Sequence, residues 1–289
     1  MKQKKNIIKL ILITTMAITL CTGCFKRDDM EDINIITTVY PLEYVLNKLY
    51  GENSIINSIY PDGIDTNEYN ISSKEYKDLV KKDLFVYNGL SNDKDIALNL
   101  VNKNRDILIM DSNFGMEVQY GIEELWLNPS NLLMISQNIK NGLEEFIDNK
   151  YIKDEIDNAY SDLKVELSEL DAEIKLINEQ AKNKTIIVAS PSLQFLSKYN
   201  FNVIYVGENE KEIKEAISLI NNKDVQCIYI LENEKENSGF KKIKKETKVE
   251  TITLNKLDNI TDEERDNKEN YISLMNKNLE LLRKGTQQS

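Results

Sequence analysis

The chain has 289 residues, of which 29% are charged, and 48 acidic side chains outnumber 37 basic ones to give a formal net charge of −11. So acidic a surface argues against nucleic acid as a partner, because that binding rests on neutralising phosphates with Lys and Arg. The chain contains no histidine. It therefore lacks the side chain that most often serves as a catalytic base and that is a common zinc ligand.

The first residues have the pattern of an export signal. Four lysines precede an uncharged stretch from Leu10 to Leu20, which is shorter than the roughly 20 apolar residues that span a bilayer and fits a signal-peptide core. It ends in Leu20-Cys21-Thr22-Gly23-Cys24, which resembles the lipobox of bacterial lipoproteins. We expect residues 1–23 to be removed and Cys24 to be acylated; the alternative is an uncleaved N-terminal anchor. Both place the folded part outside the cytoplasm.

The mature chain would carry 33 basic and 48 acidic residues, a net charge of −15. With Cys24 acylated, Cys227 would be its single free cysteine, so no disulfide is expected within the chain. Cys227 lies in the apolar run Val225–Leu231. A buried structural thiol is the expected role there.

Strand-like and helix-like segments alternate from Ile33 to about residue 150, which predicts βαβ units on a parallel sheet. One helix is opened by Ser72 with Glu75 three residues later, the pattern of a capping box. The predicted strands are Ile33–Tyr40, Leu84–Asn88 and Asp106–Met110, and the predicted helices are Pro41–Tyr50 and Ser72–Lys82.

The same alternation returns after Lys184 and predicts a second α/β lobe. Its predicted strands are Thr185–Ala189, Val203–Val206, Gln226–Leu231 and Thr251–Leu254, and its predicted helices are Ser192–Tyr199, Glu210–Asn221 and a last one from about Asp266 to Lys284.

Between the lobes, apolar residues recur at spacings of three and four from Ile152 to Ala181, without an intervening Pro or Gly. This periodicity predicts a helix of about thirty residues, roughly 45 Å long. A coiled-coil seam would show the same stripe, but its position favours a helix that lies along both lobes. The predicted organisation is a tether at 24–32, an N-terminal lobe at 33–150, a linking helix at 151–182 and a C-terminal lobe at 183–289.

Several segments form a recognisable series along the chain. They are Thr37-Thr38-Val39-Tyr40-Pro41-Leu42, Tyr60-Pro61-Asp62-Gly63, Asp83–Gly89, Leu125-Trp126-Leu127-Asn128-Pro129 and Tyr271–Leu279. In this order they resemble the substrate-binding lipoproteins of zinc and manganese ABC importers. The resemblance implies an α/β fold of two lobes with mainly parallel sheets joined by one long backbone helix, and ABC permease and ATPase partners.

The departures from that family concern its metal ligands, which are usually histidines and carboxylates at the interlobe cleft. The family's ligand positions fall on Asn67, Glu124, Ser190 and Asn255, with Asp258 close to the last. These residues offer one charge and three neutral oxygens, a poor match for zinc. Glu124 is the best single candidate for a metal ligand.

An oxygen-only site for a harder cation would need help from the neighbouring acids Asp65, Glu68 and Glu123. The alternative interpretation is that these three are solvated surface acids, which so acidic a chain supplies in many places. No resident cofactor is expected, and a divalent metal would be cargo. The other possibilities are a polar organic ligand held by Asn67, Ser190 and Asn255, or an empty cleft.

Three functions remain open. The first is the capture subunit of an ABC importer, working as a monomer held to the membrane by its lipid. The second is a binding-fold relic that acts as a surface adhesion or interaction lipoprotein. The third is a hydrolase, which the residues disfavour because Ser190 lies in no Gly-x-Ser-x-Gly turn and no histidine could activate it. We expect no enzyme.

Overall fold

Two four-stranded parallel sheets form the framework of the computed structural model, which describes residues 28–122 and 124–287. The N-terminal sheet has the order β2-β1-β3-β4 and the C-terminal sheet the order β6-β5-β7-β8. The strands are β1 Ile33–Thr37, β2 Ser54–Ser58, β3 Leu84–Tyr87, β4 Leu108–Asp111, β5 Thr185–Val188, β6 Asn202–Tyr205, β7 Cys227–Leu231 and β8 Glu250–Leu254.

Helices connect the strands of each sheet, as the parallel pairing requires. They are α1 Tyr40–Tyr50, α2 Ser73–Leu79, α3 Asp93–Lys103, α4 Pro129–Phe146, α5 Lys150–Gln180, α6 Glu210–Asn221, α7 Ser238–Glu246, α8 Asp262–Asp266 and α9 Tyr271–Gln287, with 3₁₀ turns at Gly51–Asn53 and Pro191–Tyr199.

The predicted linking helix is α5, and it is continuous over 31 residues. Its buried stripe includes Ile152, Ile156, Leu163, Leu167, Leu170, Ile174 and Ile177. Burying each such side chain contributes roughly 1.5–3 kcal/mol. The stripe belongs to one core that contains residues of both sheets, so α5 supports both lobes and is no coiled-coil seam.

A polar contact at the middle of α5 also joins the lobes. The Asp171 carboxylate accepts hydrogen bonds from Ser130 Oγ (2.8 Å) in the N-terminal lobe and from the Tyr199 hydroxyl (2.7 Å) in the C-terminal lobe. Both lobes are thus fixed against the same turn of the helix.

The structure differs from the predicted elements in a few places. The capping box at Ser72 is present, but β2, α3 and α4 had no separate prediction. The last predicted helix, from about Asp266 to Lys284, is α9, which begins later, at Tyr271, and α8, which ends at Asp266, had no prediction. The predicted helix at Ser192–Tyr199 is a 3₁₀ helix.

The chain already packs against the N-terminal lobe at its first described residues. Met30 is buried, its carbonyl oxygen accepts a hydrogen bond from the Tyr50 hydroxyl, and Asp28 Oδ2 accepts from the backbone N–H groups of Asp148 and Asn149. The part of the expected tether from Asp28 to Asp32 is therefore attached to the lobe. The expected signal peptide, the expected lipobox and Cys24 lie outside the described residues.

Over the described part of the chain, no helix combines the length and the apolar character that a bilayer crossing requires.

A candidate interlobe site centred on a buried lysine

The carboxyl ends of the strands in the two sheets face each other across the interlobe boundary. In both sheets the strand order reverses beside the first strand, β1 or β5, and the crevice outside such a switch point is where open α/β sheets bind ligands. Segments from these ends meet directly: Tyr40 N–H donates to the Asp258 carbonyl oxygen (3.0 Å), and Gly63 N–H donates to that of Ile260 (2.8 Å).

Lys256 lies at the centre of this boundary, two residues beyond the end of β8. Its side chain is only 3% exposed, and Nζ lies 2.9 Å from Glu124 Oε1 and 3.0 Å from Asp258 Oδ2. Glu124 belongs to the loop between β4 and α4, in the N-terminal lobe, whereas Asp258 follows β8. One ammonium therefore bridges a carboxylate of each lobe.

The lysine is held in its charged form. Burial by itself would lower the pKa of Lys256, but the charges and hydrogen bonds of Glu124 and Asp258 outweigh burial and raise that pKa above its usual value. The Asp258 carboxylate also accepts a hydrogen bond from Thr66 Oγ1 at 2.6 Å. Lys256, Glu124, Asp258 and Thr66 thus form a hydrogen-bonded network across the two lobes.

The turn that carries Lys256 and Asp258 has an unusual backbone. Leu257, fully buried between them, has φ = +61°, a conformation that costs a bulky residue on the order of 1–3 kcal/mol. Its N–H donates to Asn255 Oδ1 at 2.7 Å, and the Lys256 carbonyl oxygen accepts from the Trp126 indole N–H at 3.0 Å. Hydrogen bonds from both lobes therefore hold the strained turn in place.

Two more carboxylates stand beside the lysine, on the loop after β7. Glu232 Oε1 accepts from the Lys256 backbone N–H (3.2 Å), and Glu234 Oε1 accepts from Ser190 Oγ (2.8 Å). Burial raises the pKa of both groups, and the charge of Asp258 raises it further, while Lys256 lowers it. We call Glu124, Glu232, Glu234 and Asp258 the carboxylate cluster.

A second set of ion pairs closes the rim of the boundary. Arg265 of α8 donates from Nε to Asp62 Oδ2 (2.6 Å) and from Nη1 to Glu43 Oε1 (2.9 Å). Glu43 is buried, and Arg265 supplies the opposite charge that a buried carboxylate requires. Asn259 Nδ2 donates to the carbonyl oxygens of Pro61 and Ile64 (2.9 and 3.1 Å), and the two lobes meet closely here as well.

Little room is left at the boundary beside Glu124. A cavity of about 10 Å³ borders Glu124, Asn128, Asn131 and Ser192, which is about the space of one water molecule. The Ser192 hydroxyl is buried without a hydrogen-bond partner. In this closed form the cavity accommodates nothing larger than a water or a single ion.

The structure brings two of the four expected ligand positions to the cluster. Glu124 is a member of the cluster, and Ser190 donates a hydrogen bond to Glu234, another member. Asn67 is exposed, and its N–H donates to Asp65 Oδ1 within its own turn; its neighbour Thr66 makes the contact to Asp258. The Asn255 side chain bonds to Leu257 N–H and, at 3.3 Å, to Glu264, which gives it a role in shaping the turn.

Two of the three acids considered as additional ligands lie elsewhere. Glu68 is exposed and 3.5 Å from Lys235 Nζ, and Asp65 caps the turn of Asn67; Glu123 lies outside the described residues. Over residues 28–122 and 124–287, no group of three or more His, Cys, Asp or Glu side chains is arranged to hold a metal ion.

Sequence reasoning missed Lys256, Glu232 and Glu234. The acid and lysine mixture after Leu231 has the composition of a solvated surface, whereas Glu232 and Glu234 are partly buried and Phe240 and Ile243 of α7 are core residues. The available signal was positional: Glu232, Glu234 and Lys256 lie one to three residues beyond the ends of predicted strands, where a parallel sheet places its ligand site.

Known proteins match the chain along its length. A sequence profile of the ZnuA family, the periplasmic component A of zinc-uptake complexes, matches residues 35–285. The zinc-binding lipoprotein AdcA of Streptococcus pneumoniae (strain ATCC BAA-255 / R6) is 23% identical over 97% of this chain, which spans 61% of AdcA. The manganese ABC transporter substrate-binding lipoprotein PsaA of Streptococcus pneumoniae is 23% identical over 99% of both chains.

The fold agrees with solved structures. The Zn(II)-bound ZnuA-like domain of Streptococcus pneumoniae AdcA aligns with a TM-score of 0.71 at 22% identity, covering 89% of this chain and all of that domain. This confirms the expected two-lobed fold with a long connecting helix. Since the matched range includes both sheets and α5, the chain belongs to the ZnuA family.

Proposed function

We propose that this chain is the extracytoplasmic substrate-binding lipoprotein of a metal-type ABC importer, and that its interlobe site does not take zinc as histidine-containing sites do. Its named relatives are substrate-binding lipoproteins for zinc and manganese, and PsaA matches it from end to end. Lipid on Cys24 would hold the monomer beside a permease and its ATPase.

The observation that carries the second half of the proposal is the position of the Lys256 ammonium. It is bonded to both Glu124 and Asp258, so a dication at those oxygens would have to displace a buried, charged lysine. The oxygens also lack the imidazole and thiolate partners from which most zinc sites are built. Such oxygen ligands favour a harder cation over zinc, but that cation too would have to displace the ammonium from Glu124.

The same geometry supports a second candidate function. The cation in the cleft is the chain's own Lys256 ammonium, and the cavity beside it measures only about 10 Å³. Such a cleft suits a binding fold that has become a surface adhesion or interaction lipoprotein. In that case the outer surfaces of the lobes, and no captured solute, would carry the activity.

Recovery of the partners from the host distinguishes the two candidates. We expect the tagged full-length protein, cross-linked in membranes of its own host and purified in detergent, to bring with it an ABC permease and an ATPase, as a substrate-binding subunit must dock on its permease. An unrelated tagged lipoprotein is the control. Recovery of a surface or matrix protein, with no importer subunit above the control, would favour the interaction module.

Anchoring rests on Cys24, and its replacement should remove the lipid. Cells fed a labelled fatty acid should label the protein, and the Cys24→Ser variant should lose the label and leave the membrane fraction, because the serine hydroxyl does not replace the lipidated thiol. Cys227→Ser is the matched control and should keep the label, Cys227 being buried. Label that persists in Cys24→Ser would disprove the anchor.

A further inference from the structure

The interlobe boundary contains a cation that belongs to the chain. Lys256 Nζ is bonded by one carboxylate from each lobe, with the backbone of the same residue bonded to Glu232 and Trp126. An exposed ion pair of this kind contributes little. This one is buried, and removal of either sign would leave an uncompensated charge.

The surrounding contacts describe closed lobes. Tyr40 N–H bonds to the Asp258 carbonyl, Thr66 bonds to the Asp258 carboxylate, and Arg265 joins α8 to Asp62 and Glu43. Each of these contacts runs between an element of one lobe and an element of the other. The closed arrangement is therefore built from the chain's own side chains and backbone.

We propose that the Lys256 ammonium is a tethered cation that fills the interlobe site and keeps the lobes closed without an external ligand. It follows that removing the ammonium while keeping the carboxylates should let a hard divalent cation bind between Glu124 and Asp258 in its place. The inference concerns the same site as the proposed function and rests on it for the site's identity as the ligand cleft.

The ligand distances fit such a conversion. The two oxygens that bond Lys256 Nζ lie 2.9 and 3.0 Å from it, and a shift of about 0.5 Å each would reach the 2.3–2.6 Å at which carboxylate oxygens bind Ca²⁺. Calcium also accepts six to eight oxygens in a flexible geometry. Water would supply the remaining ligands, because the described residues include no group of three acids arranged to hold a metal ion.

Methionine is the suitable replacement for Lys256, since it keeps most of the length of the buried stem and removes the charge. Lys235→Met is the matched control, because Lys235 stands on the same side of the boundary, also faces an acid of the N-terminal lobe, and is 93% exposed. The full-length protein in detergent, stripped with chelator, is titrated with CaCl₂ by calorimetry, and its unfolding midpoint is followed in parallel.

We expect Lys256→Met to bind one Ca²⁺ per chain and to gain several degrees in unfolding midpoint with saturating calcium, because a ligand that binds the folded state stabilises it. The wild type and Lys235→Met should show neither effect. Glu124→Gln added to Lys256→Met should abolish the binding. Equal calcium binding by the wild type, or none by a folded Lys256→Met protein, would overturn the tethered cation.

A measurement on the wild type covers the case in which Lys256→Met does not fold. Amine acetylation of the chelator-treated native protein, followed by peptide mass spectrometry, should modify Lys235 rapidly and Lys256 only after unfolding, since Lys256 is buried and protonated. Modification of Lys256 at a rate similar to that of Lys235 would show that the boundary opens freely without ligand and would refute the inference. The importer assignment would be unaffected, because partner recovery tests it separately.

Discussion

Zinc titrated into the full-length protein should bind at least about 100-fold more weakly than it binds to the ZnuA-like domain of AdcA in the same buffer. Loss of groups that only orient zinc ligands already costs 10–100-fold. Here the chain has no histidine at all, and the Lys256 ammonium must leave before a dication can enter. Calorimetry of the chelator-treated proteins, run side by side, gives the ratio directly.

Two controls make the zinc experiment specific. The Cys227→Ser variant should behave as the wild type does, which excludes the buried thiol as a zinc ligand. Tight one-to-one zinc binding that disappears in Glu124→Ala would show instead that zinc displaces Lys256 and uses the cluster, and the proposal of a site closed to zinc would fail.

Alanine in place of Asp258 should lower the free energy of unfolding by about 1–3 kcal/mol, the cost of removing one hydrogen-bond partner from a buried group, because the Lys256 ammonium keeps Glu124 as its other partner. The Asp258 side chain is 10% exposed and its partner Lys256 is 3% exposed, so water cannot readily replace the lost carboxylate. Thr66 Oγ1 would lose its acceptor as well. Urea unfolding followed by circular dichroism at neutral pH measures the difference.

The matched control is Asp266→Ala, which removes an exposed acid at the end of α8 and should change stability by no more than about 0.5 kcal/mol. A double-mutant cycle with Lys256→Met should give a coupling of at least about 1 kcal/mol, because the two groups are in contact. If the losses in unfolding free energy of the two single variants simply add in the double variant, Lys256 and Asp258 do not stabilise each other. The pair would then contribute no more than an exposed surface ion pair.

The sequence by itself determined the architecture, because periodicity is a local property of the chain. The apolar stripe from Ile152 to Ala181 has helical spacing, and α5 runs over Lys150–Gln180. Glu210–Asn221 is a helix at the predicted bounds, and Ser72 with Glu75 forms the predicted cap. The absence of histidine also bears on the site's chemistry whatever the fold.

Only the tertiary structure decided what stands in the interlobe site. Lys256 and Glu124 are 132 positions apart, and a lysine after a strand is usually solvated, so nothing local distinguishes it from the other lysines of the chain. Its burial arises because the turn at Leu257 folds against the loop of the opposite lobe. Glu232 and Glu234 follow the same logic, since burial of a carboxylate depends on which neighbours the fold brings to it and not on the residues beside it in the sequence.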